Sequence, residues 1–331
     1  MSGHSNATLA DRLQGGLIGL LVGDALGVPY EFTPPQRLPP RASIDMTPPA
    51  HWPCTHDVPP GTWSDDGAQA LCLLDSLLAH ETLDLDDFAQ RLLRWYREGY
   101  LQAGGRVFDI GLQTRQALRR LEWGEPAHEA GPAGEHQNGN GALMRVLPLA
   151  LLHDPQRQSR TGLIDAAQRQ SLVTHGHPRS RLCCALYCLW AVELLAGLDS
   201  ESAWNRAADR LRAWCEGADD ARRFATWSAD QNEECSRILD ASNADNAKGS
   251  GYVLDTLWSA RACLHHPDYA DAVRAAVALG HDTDTTSAVT GGLAGLRSGI
   301  NGIPARWRET LRDAHLFRPL LDQLRRRRSL P

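Results

Sequence analysis

The sequence predicts an all-α fold, a single compact orthogonal multi-helix domain. Apolar residues recur every three or four positions in several long segments, the spacing that keeps one face of a helix apolar. Few segments alternate apolar and polar residues with the two-residue period of a strand. Hydrophobic residues make up 42% and charged residues 22% of the 331 positions, which is typical of a globular protein with a large core.

Four apolar stripes mark the predicted helices most clearly, in chain order. They are Leu13, Leu17, Leu20 and Leu21; Leu71, Leu74, Leu77 and Leu78; Leu182, Leu186, Leu189 and Trp190; and Val253, Leu257, Ala260 and Leu264. The first stripe includes the glycine-rich run 15–20, and a similar run occurs at 291–296. Small residues at these spacings let helix backbones approach closely. We interpret the similarity as a shared packing solution and not as a duplicated domain.

Three segments lack helical spacing and predict long loops within one domain over residues 1–331. Residues 33–60 contain nine prolines, which excludes a continuous helix there. Residues 122–140 are rich in Gly, Pro, Glu and His, and residues 215–251 are polar, with room for one short helix. The helical segments beside these loops need one another to bury their apolar faces. Long loops in a compact domain are often functional.

Charge and composition exclude several classes of protein. The formal net charge of −6 lacks the positive field expected of a nucleic-acid binder. No apolar run approaches the ~18–20 residues that cross a bilayer, and no basic leader precedes the apolar run at 15–22. We therefore expect neither a membrane span nor a signal peptide. The eight cysteines form no CxxC pair, which favours a reduced, cytoplasmic protein without a cysteine metal site.

Two acidic clusters each precede an apolar run and so mark the start of a helix. The first is Gly61-Thr-Trp-Ser-Asp-Asp-Gly67, in which Ser64 or Asp65 is suited to cap the helix. The second is Gly280-His-Asp-Thr-Asp-Thr-Thr-Ser287, with Asp282 or Thr283 as its cap. Capping alone explains one such cluster, because acidic and hydroxyl side chains stabilise helix N-termini.

Together the two clusters hold more oxygen atoms than capping needs. Each has two carboxylates and at least one hydroxyl within four residues, and adjacent buried carboxylates repel unless a cation or protons intervene. Carboxylate and hydroxyl oxygens suit hard cations such as Mg²⁺ and Mn²⁺. Four aspartates would balance the charge of two divalent ions if the clusters face each other. The residues alone do not decide between simple helix capping and paired metal binding.

Seven short motifs occur in order along most of the chain. They are Gly23-Asp-Ala-Leu-Gly-Val-Pro-Tyr-Glu31, Trp63-Ser-Asp-Asp66, Phe108-Asp-Ile-Gly111, Asn138-Gly-Asn-Gly-Ala-Leu-Met-Arg145, Thr174-His175, Gly249-Ser-Gly-Tyr-Val253 and Asp282-Thr-Asp-Thr285. Each motif is weakly specific, but their joint order resembles that of the ADP-ribosylhydrolase (ADP-ribosylglycohydrolase) family, of the dinitrogenase-reductase-activating glycohydrolase type.

This resemblance implies the all-α fold of that family with two Mg²⁺ or Mn²⁺ ions, and it assigns site residues by position. The implied metal ligands are Ser64, Asp65, Asp66, Asp282, Asp284 and Thr285. The implied catalytic residues are Glu31, Asp65 and Asp282. The proline-rich segment after Glu31 has two open interpretations, the family's mobile loop over the site or a rigid surface loop, which prolines also suit. The implied substrate contacts are Asp109, Asn138, Gly139, Asn140, Gly141 and His175. Ser64 and Gly67 depart from the family, which often has Thr at both places.

Two further assignments also have structural alternatives that stay open. The loop 138–141 would hold the diphosphate of the ligand, since glycine lets backbone N–H groups approach phosphate oxygens. It could equally be the start of a helix at Ala142. Asp109 could hold a guanidinium group, or it could cap a helix that begins at Ile110.

The resemblance implies hydrolysis of the glycosidic bond between ADP-ribose and a protein side chain, with release of ADP-ribose. Arginine is favoured over serine, because a carboxylate such as Asp109 pairs bidentately with a guanidinium group. We expect a monomer whose partner is an ADP-ribosylated protein, without nucleic acid or membrane. A non-catalytic ADP-ribose-binding relative and a metal phosphohydrolase stay open as alternatives. All of these metal-based hypotheses require the clusters near residues 65 and 283 to meet in space.

Overall fold

Helices form the regular structure of the part of the chain that is described. The computed structural model describes residues 7–80, 82–217, 230–245 and 247–328, and these contain fourteen α-helices and no β-strand. The all-α prediction is therefore confirmed, while a single domain over the whole chain stays a prediction. The helices are α1 (Leu9–Gly27), α2 (Asp65–Ala79), α3 (Leu85–Glu98), α4 (Leu112–Glu122), α5 (Leu147–Leu152), α6 (Arg160–Leu172), α7 (Pro178–Leu195), α8 (Ser200–Cys215), α9 (Gln231–Leu239), α10 (Val253–Cys263), α11 (Tyr269–Val277), α12 (Thr283–Ser298), α13 (Ala305–Thr310) and α14 (Ala314–Arg327).

The two glycine-rich runs pack against each other, backbone to backbone, where α1 meets α12. A Cβ atom added at Gly19 would lie 2.4 Å from the carbonyl oxygen of Gly291, so a side chain does not fit there. The predicted shared packing solution is thus a mutual contact between the two runs. At the end of α1, Gly27 lies equally close to the backbone of Asp284. This contact fixes the start of α12 beside the end of α1.

A methyl group between these helices should therefore destabilise the fold. We expect Gly19→Ala to lower the free energy of unfolding by about 2–3 kcal/mol, because α1 and α12 must separate to accept it. Gly162→Ala, in the first turn of α6, is the control, since its Cβ would come no closer than 3.3 Å, to the movable hydroxyl of Ser159. This control should change the free energy by less than about 1 kcal/mol. Urea unfolding measures both values, and equal stabilities would contradict the close packing.

The helix α7 runs through the core, and every residue from Arg179 to Leu194 is buried. Its cysteines Cys183, Cys184 and Cys188 are buried free thiols, as expected for cysteines in an apolar helix. All eight cysteines of the chain are free. The fold therefore draws its stability from packing and not from disulfides.

The segments predicted as loops contain some short helical pieces. Residues 33–60 contain two short 3-10 turns, Pro35–Arg37 and Arg41–Ser43, and no α-helix. Within 215–251, α9 is the short helix that the sequence allowed, while residues 218–229 and 246 of that segment lie outside the described residues. The helix start considered at Ala142 is wrong, because residues 142–145 form turns. The helix α5 begins at Leu147, where Pro148 suits a first turn.

The segment Leu9–Tyr30 is long and apolar enough to span a membrane, but 94% of its most apolar stretch is buried inside the protein. Burial of this kind is found in the core helices of proteins that do not enter membranes. The contact of α1 with α12 accounts for it, because the glycine-rich face of α1 is covered by another helix.

Candidate active site

The first acidic cluster lies at the buried N-terminus of α2. Ser64 is its N-cap residue: the hydroxyl accepts a hydrogen bond from the backbone N of Asp66 (3.3 Å) and donates one to Asp66 Oδ2 (2.9 Å). Asp24 of α1 supports the same turn, because its carboxylate accepts hydrogen bonds of 2.7–3.1 Å from the backbone N–H groups of Ser64 and Gly67. Two residues thus cap α2, and the carboxylate of Asp66 is not needed for that role.

The second acidic cluster lies at the N-terminus of α12 and meets the first. Asp282 is at the N-cap position but makes no side-chain cap, and its Oδ2 accepts a hydrogen bond of 2.7 Å from Asn140. The hydroxyl of Thr285 lies 3.4 Å from Asp66 Oδ2, a contact between residues 219 positions apart in the chain. The spatial requirement of the metal hypothesis is therefore met.

Five carboxylates gather in two groups that share Asp284. In one group, oxygen atoms of Asp24, Asp66 and Asp284 lie within 4.8 Å of one another; in the other, oxygens of Glu31, Asp282 and Asp284 do. The members of the first group are at most 1% exposed. Each group has the size and donor type of a site that could hold one divalent metal ion.

The electrostatics of the first group favour a bound cation. Burial raises the pKa of Asp66 and the pKa of Asp284 well above the ordinary value, and the neighbouring carboxylates raise both further. Burial also raises the pKa of Asp24 to about 7, although its hydrogen bonds from backbone N–H groups oppose the rise. The ionised form of this cluster is thus unfavourable unless a positive charge compensates it.

Two oxygen atoms of the cluster also lack partners. Asp66 Oδ1 and Asp284 Oδ2 are buried, and no described residue offers either of them a hydrogen bond. Buried polar atoms nearly always have a partner, so two such carboxylate oxygens need an explanation. A hard divalent cation satisfies them, since carboxylate and hydroxyl oxygens are its preferred ligands. The residues present therefore fit a divalent metal site.

The raised pKa values predict how pH acts on the metal-free protein. A carboxyl group whose pKa is higher in the folded chain stabilises the fold below its unfolded pKa, and this contribution is lost as pH rises through the folded value. For Asp24 the loss falls between about pH 4, its ordinary pKa, and about pH 7. We expect the protein in EDTA to have a lower Tm at pH 8 than at pH 5.5.

Circular dichroism during heating measures this effect. Addition of Mn²⁺ at pH 8 should restore the Tm, and Asp66→Asn, which removes one buried carboxylate, should reduce the difference between the two pH values. A chelated protein that is equally stable at pH 8 and pH 5.5 would contradict the presence of a strained carboxylate cluster.

Asp65 lies beside both carboxylate groups and belongs to neither. Its Oδ2 accepts a hydrogen bond of 3.2 Å from Gln69, one turn along α2, and Gln69 in turn accepts one of 2.8 Å from Arg145. Burial raises the pKa of Asp65 well above its ordinary value, and Asp109 is the neighbour that raises it most. The roles of Asp65 as a metal ligand and as a catalytic residue stay predictions.

Glu31 is buried where the turn after α1 ends. Burial and, to a smaller extent, the carboxylates of Asp109 and Asp282 raise the pKa of Glu31 to about 10. Its Oε2 lies 2.5 Å from Nε2 of His56, a residue of the proline-rich segment 33–60. The proline-rich segment thus reaches the predicted catalytic residue. Without a metal, Glu31 keeps its proton at neutral pH.

Asp109 lies at the half-buried edge of the site, where ligand atoms of Asp109, Glu31 and His56 come within 4.8 Å of one another. Its Oδ1 accepts a hydrogen bond of 2.9 Å from the backbone N of Ile110. The helix α4 begins only at Leu112, and its N-cap makes no side-chain hydrogen bond. The helix-cap interpretation of Asp109 is therefore wrong, and its carboxylate faces the site.

The loop Asn138–Gly141 is held against α10 and α12. The backbone N of Asn140 donates to the carbonyl of Gly251 (3.1 Å), and the backbone N of Val253 donates to the carbonyl of Asn138 (3.0 Å). The side chain of Asn140 reaches Asp282, as described above, so the loop borders the acidic groups directly. Asn138 is fixed from the other side, because its Oδ1 accepts a hydrogen bond of 3.0 Å from Ser180.

His175 and Gln113 pack against this loop and leave no room for side chains at its two glycines. A Cβ atom at Gly141 would lie 2.9 Å from the ring of His175, and one at Gly139 would lie 2.8 Å from the side-chain oxygen of Gln113. Burial lowers the pKa of His175 to about 3, so the imidazole is neutral, with Nδ1 hydrogen-bonded to the hydroxyl of Thr174 at 2.8 Å. His175 supports the loop, and its contact with a ligand stays a prediction.

Two residues of this site, Asp24 and His56, were not predicted from the sequence. Asp24 stands in the first motif, and a lone carboxylate within an apolar, glycine-rich helix is the signal that could have found it. Its role as a cap for a helix 40 residues away is not visible in a local pattern. His56 is one of thirteen histidines and lies in a loop, so only the fold brings it to Glu31.

The order of the motifs and the meeting of the two acidic clusters point to one family. Residues 5–330 match the family model described as ADP-ribosylglycohydrolase. The chain belongs to the ADP-ribosylglycohydrolase family. The resemblance inferred from the motifs is thereby confirmed.

Individual members of the ADP-ribosylglycohydrolase family are similar over nearly the whole chain. ADP-ribosylarginine hydrolase Tri1 of Serratia proteamaculans is 32% identical over 316 residues, which cover 95% of this chain and 79% of the relative. ADP-ribosyl-[dinitrogen reductase] glycohydrolase of Rhodospirillum rubrum is 28% identical over 310 residues, which cover 90% of this chain and 89% of the relative. A solved structure of an ADP-ribosylglycohydrolase-related protein complex is 31% identical with a TM-score of 0.72, covering 96% and 98% of the two chains.

These findings confirm the predicted enzyme class. Members of the ADP-ribosylglycohydrolase family hydrolyse glycosidic bonds, and this chain is an enzyme of that class. In this ADP-ribosylglycohydrolase, the acidic starts of α2 and α12 form the groups that could hold metal. Glu31, Asp109 and the loop 138–141 border them.

Proposed function

We propose that this ADP-ribosylglycohydrolase hydrolyses the bond between ADP-ribose and an arginine side chain of a protein, with two Mg²⁺ or Mn²⁺ ions bound between α2 and α12. The observation that carries the proposal is the pair of buried, unpartnered oxygens, Asp66 Oδ1 and Asp284 Oδ2, where the carboxylate groups join. The names of two relatives, which refer to ADP-ribosylarginine and to dinitrogen reductase, support the same class of substrate.

The ions would be held by the oxygens that the acidic helix starts bring together. The proposed ligands are Ser64, Asp65, Asp66, Asp282, Asp284 and Thr285. When bound, such ions supply Lewis-acid polarisation and lower the pKa of a water molecule. Asp24 supports the site from beneath, because it caps α2 and adds a carboxylate to the first group.

The reaction breaks the bond between the anomeric carbon of the ribose and a nitrogen of the guanidine group. Water adds its hydroxyl to the carbon, and the nitrogen gains a proton. We assign the transfer of this proton to Glu31, because its buried carboxyl group lies beside Asp109, the carboxylate that would pair with the guanidinium. Asp65 and Asp282 add negative charge beside the sugar, which stabilises the oxocarbenium character of the transition state.

Asp109 and the loop 138–141 would orient the substrate on opposite sides of the reacting bond. The carboxylate of Asp109, beside Glu31, can pair with two N–H groups of the guanidinium. In the loop, the backbone N–H groups of Gly139 and Asn140 already donate within the protein. A phosphate would therefore be bound by the N–H groups of Asn138 and Gly141.

We extend the proposal to the setting of the enzyme. Free thiols at all eight cysteines suit a reducing compartment, which supports a cytoplasmic location. The net charge of −6 disfavours nucleic acid as a partner. We propose a monomer that acts on an ADP-ribosylated protein and not at a membrane.

A direct assay tests the proposed function. The protein is incubated with arginine-linked and serine-linked ADP-ribosyl peptides, with Mg²⁺, Mn²⁺ or EDTA, and the products are identified by mass spectrometry. We expect ADP-ribose from the arginine-linked peptide in the presence of a metal and none in EDTA. Equal release from the serine-linked peptide contradicts the arginine assignment. Binding without release would favour a non-catalytic relative, and release of inorganic phosphate would favour a phosphohydrolase.

A further inference from the structure

We propose that His56 is a positioning residue that holds the carboxyl group of Glu31 away from the metal-binding carboxylates. The inference deepens the proposed function and rests on it for the catalytic role of Glu31. It concerns the proline-rich segment 33–60, which the proposed mechanism does not otherwise use.

Glu31 stands between two sets of neighbours. Its carboxyl group lies within 4.8 Å of ligand atoms of Asp282 and Asp284 on one side, and of His56 and Asp109 on the other. On the first side it would become a further metal ligand. A carboxylate bound to a divalent ion is held in its ionised form and exchanges a proton poorly. Proton transfer therefore requires a contact that keeps Glu31 on the second side.

His56 supplies that contact. Within the described ranges, its imidazole is the one side chain that hydrogen-bonds to the carboxyl group of Glu31, with 2.5 Å between Nε2 and Oε2. The His56 side chain is only 11% exposed, so water competes weakly for this hydrogen bond. The carboxyl group is thereby fixed on the side of Asp109.

The ring of His56 is itself held in place. It contacts the rings of Phe32 and Phe108, with centroid distances of 6.0 and 5.0 Å. Phe32 directly follows Glu31 and Phe108 directly precedes Asp109, so the two aromatic rings tie His56 to both carboxyl-bearing segments. Rotation of the imidazole away from Glu31 would break these ring contacts.

The backbone around His56 is anchored to the turn that carries Glu31. The hydroxyl of Thr55 donates a hydrogen bond of 3.1 Å to the carbonyl of Glu31, and Nε1 of Trp52 donates one of 2.9 Å to the carbonyl of Pro29. The prolines of this segment restrict its backbone further. The segment thus presents His56 at a fixed place, which a positioning residue requires.

A third metal ion bound by Glu31, His56 and Asp109 is the competing interpretation. Ligand atoms that share one ion lie about 2 Å from it and about 3 Å or more from each other. The distance of 2.5 Å between Glu31 Oε2 and His56 Nε2 is that of a hydrogen bond and leaves no room for an ion to be bound by both atoms. The geometry therefore favours positioning over coordination.

Binding of Mn²⁺ tests the inference without any substrate. In His56→Ala, the released carboxylate of Glu31 should join Asp282 and Asp284, so we expect Mn²⁺ to bind about threefold or more tightly by calorimetry. Glu31→Gln alone, and the double variant, should bind Mn²⁺ as the unmodified protein does. His51→Ala, an exposed histidine of the same segment, is the control and should change nothing. Unchanged or weaker binding in His56→Ala would overturn the proposal.

Turnover of an arginine-linked ADP-ribosyl peptide tests the same inference kinetically. We expect His56→Ala to lower kcat about 30-fold with little change in KM. In a protein that already carries Glu31→Gln, the same substitution should lower kcat by less than about a further threefold. His56→Gln, whose amide nitrogen can take the place of Nε2, should recover most of the activity, and circular dichroism checks that each variant folds. If the double variant loses kcat by the product of the two single losses, His56 does not act through Glu31 and the proposal is refuted. Failure of the unmodified protein to release ADP-ribose from any peptide would refute the proposed function, while Mn²⁺ binding would still decide the role of His56.

Discussion

Asp284→Asn should abolish the release of ADP-ribose and weaken Mn²⁺ binding by about 100-fold or more. Asp284 is the carboxylate that both groups share, and its Oδ2 is buried without a partner in the described structure. Asparagine keeps the shape of the side chain and can still accept the hydrogen bond that Thr285 N donates to Asp284 Oδ1. The expected loss of activity and of Mn²⁺ affinity therefore results from the missing charge and metal ligand, and not from altered packing.

Burial raises the pKa of Asp284, so loss of its charge should leave the metal-free protein at least as stable as before. Calorimetry with Mn²⁺ and thermal unfolding in EDTA separate the two effects. Asp86→Asn is the matched control, because Asp86 is an exposed carboxylate in the first turn of α3. Full Mn²⁺ affinity and turnover in Asp284→Asn would show that the acidic start of α12 is a cap and nothing more.

Glu31→Gln should lower kcat by about a thousandfold while Mn²⁺ affinity changes less than about threefold. A glutamine at this position cannot carry the proton, but it can still contact His56. Steady-state kinetics on an arginine-linked ADP-ribosyl peptide and calorimetry with Mn²⁺ measure the two quantities. Glu98→Gln, at the C-terminus of α3 and exposed, controls for the loss of a surface charge.

The result for Glu31→Gln also distinguishes two roles of Glu31, metal ligand and proton-transfer group. If Glu31→Gln loses Mn²⁺ affinity and turnover together, Glu31 is a metal ligand and its assignment to proton transfer is wrong. If turnover stays above about a tenth of the original value, another group moves the proton, since general acid–base catalysis contributes at least about a hundredfold.

Local features of this fold could be predicted from the sequence because they depend on neighbours in the chain. The helices with clear apolar stripes, α1, α2, α7 and α10, lie where the spacing placed them. Ser64 caps α2 as expected, because the cap is set by contacts within three residues. The site residues were predicted from motifs whose order resembles that of a known family. Apolar spacing alone would not have identified them.

Other features depend on contacts between distant segments. Asp24 shares the cap of α2, which is why the carboxylate of Asp66 is left over for other contacts. Capping and metal binding could not be separated without this fact. Asp109 is too far from the first residue of α4 to cap that helix, and its carboxylate lies beside Glu31. Local spacing in the sequence could not distinguish these two positions. His56 reaches the site only because its loop folds back on the turn at Glu31.

The central claim is that the acidic starts of α2 and α12 together bind divalent metal. Anomalous diffraction from crystals soaked in Mn²⁺ tests it most directly, because it locates the ions independently of any substrate. We expect manganese at two positions per chain, one beside Asp66 and Asp284 and the other beside Asp282 and Asp284. Crystals in which manganese binds only at the protein surface, or not at all, would contradict it.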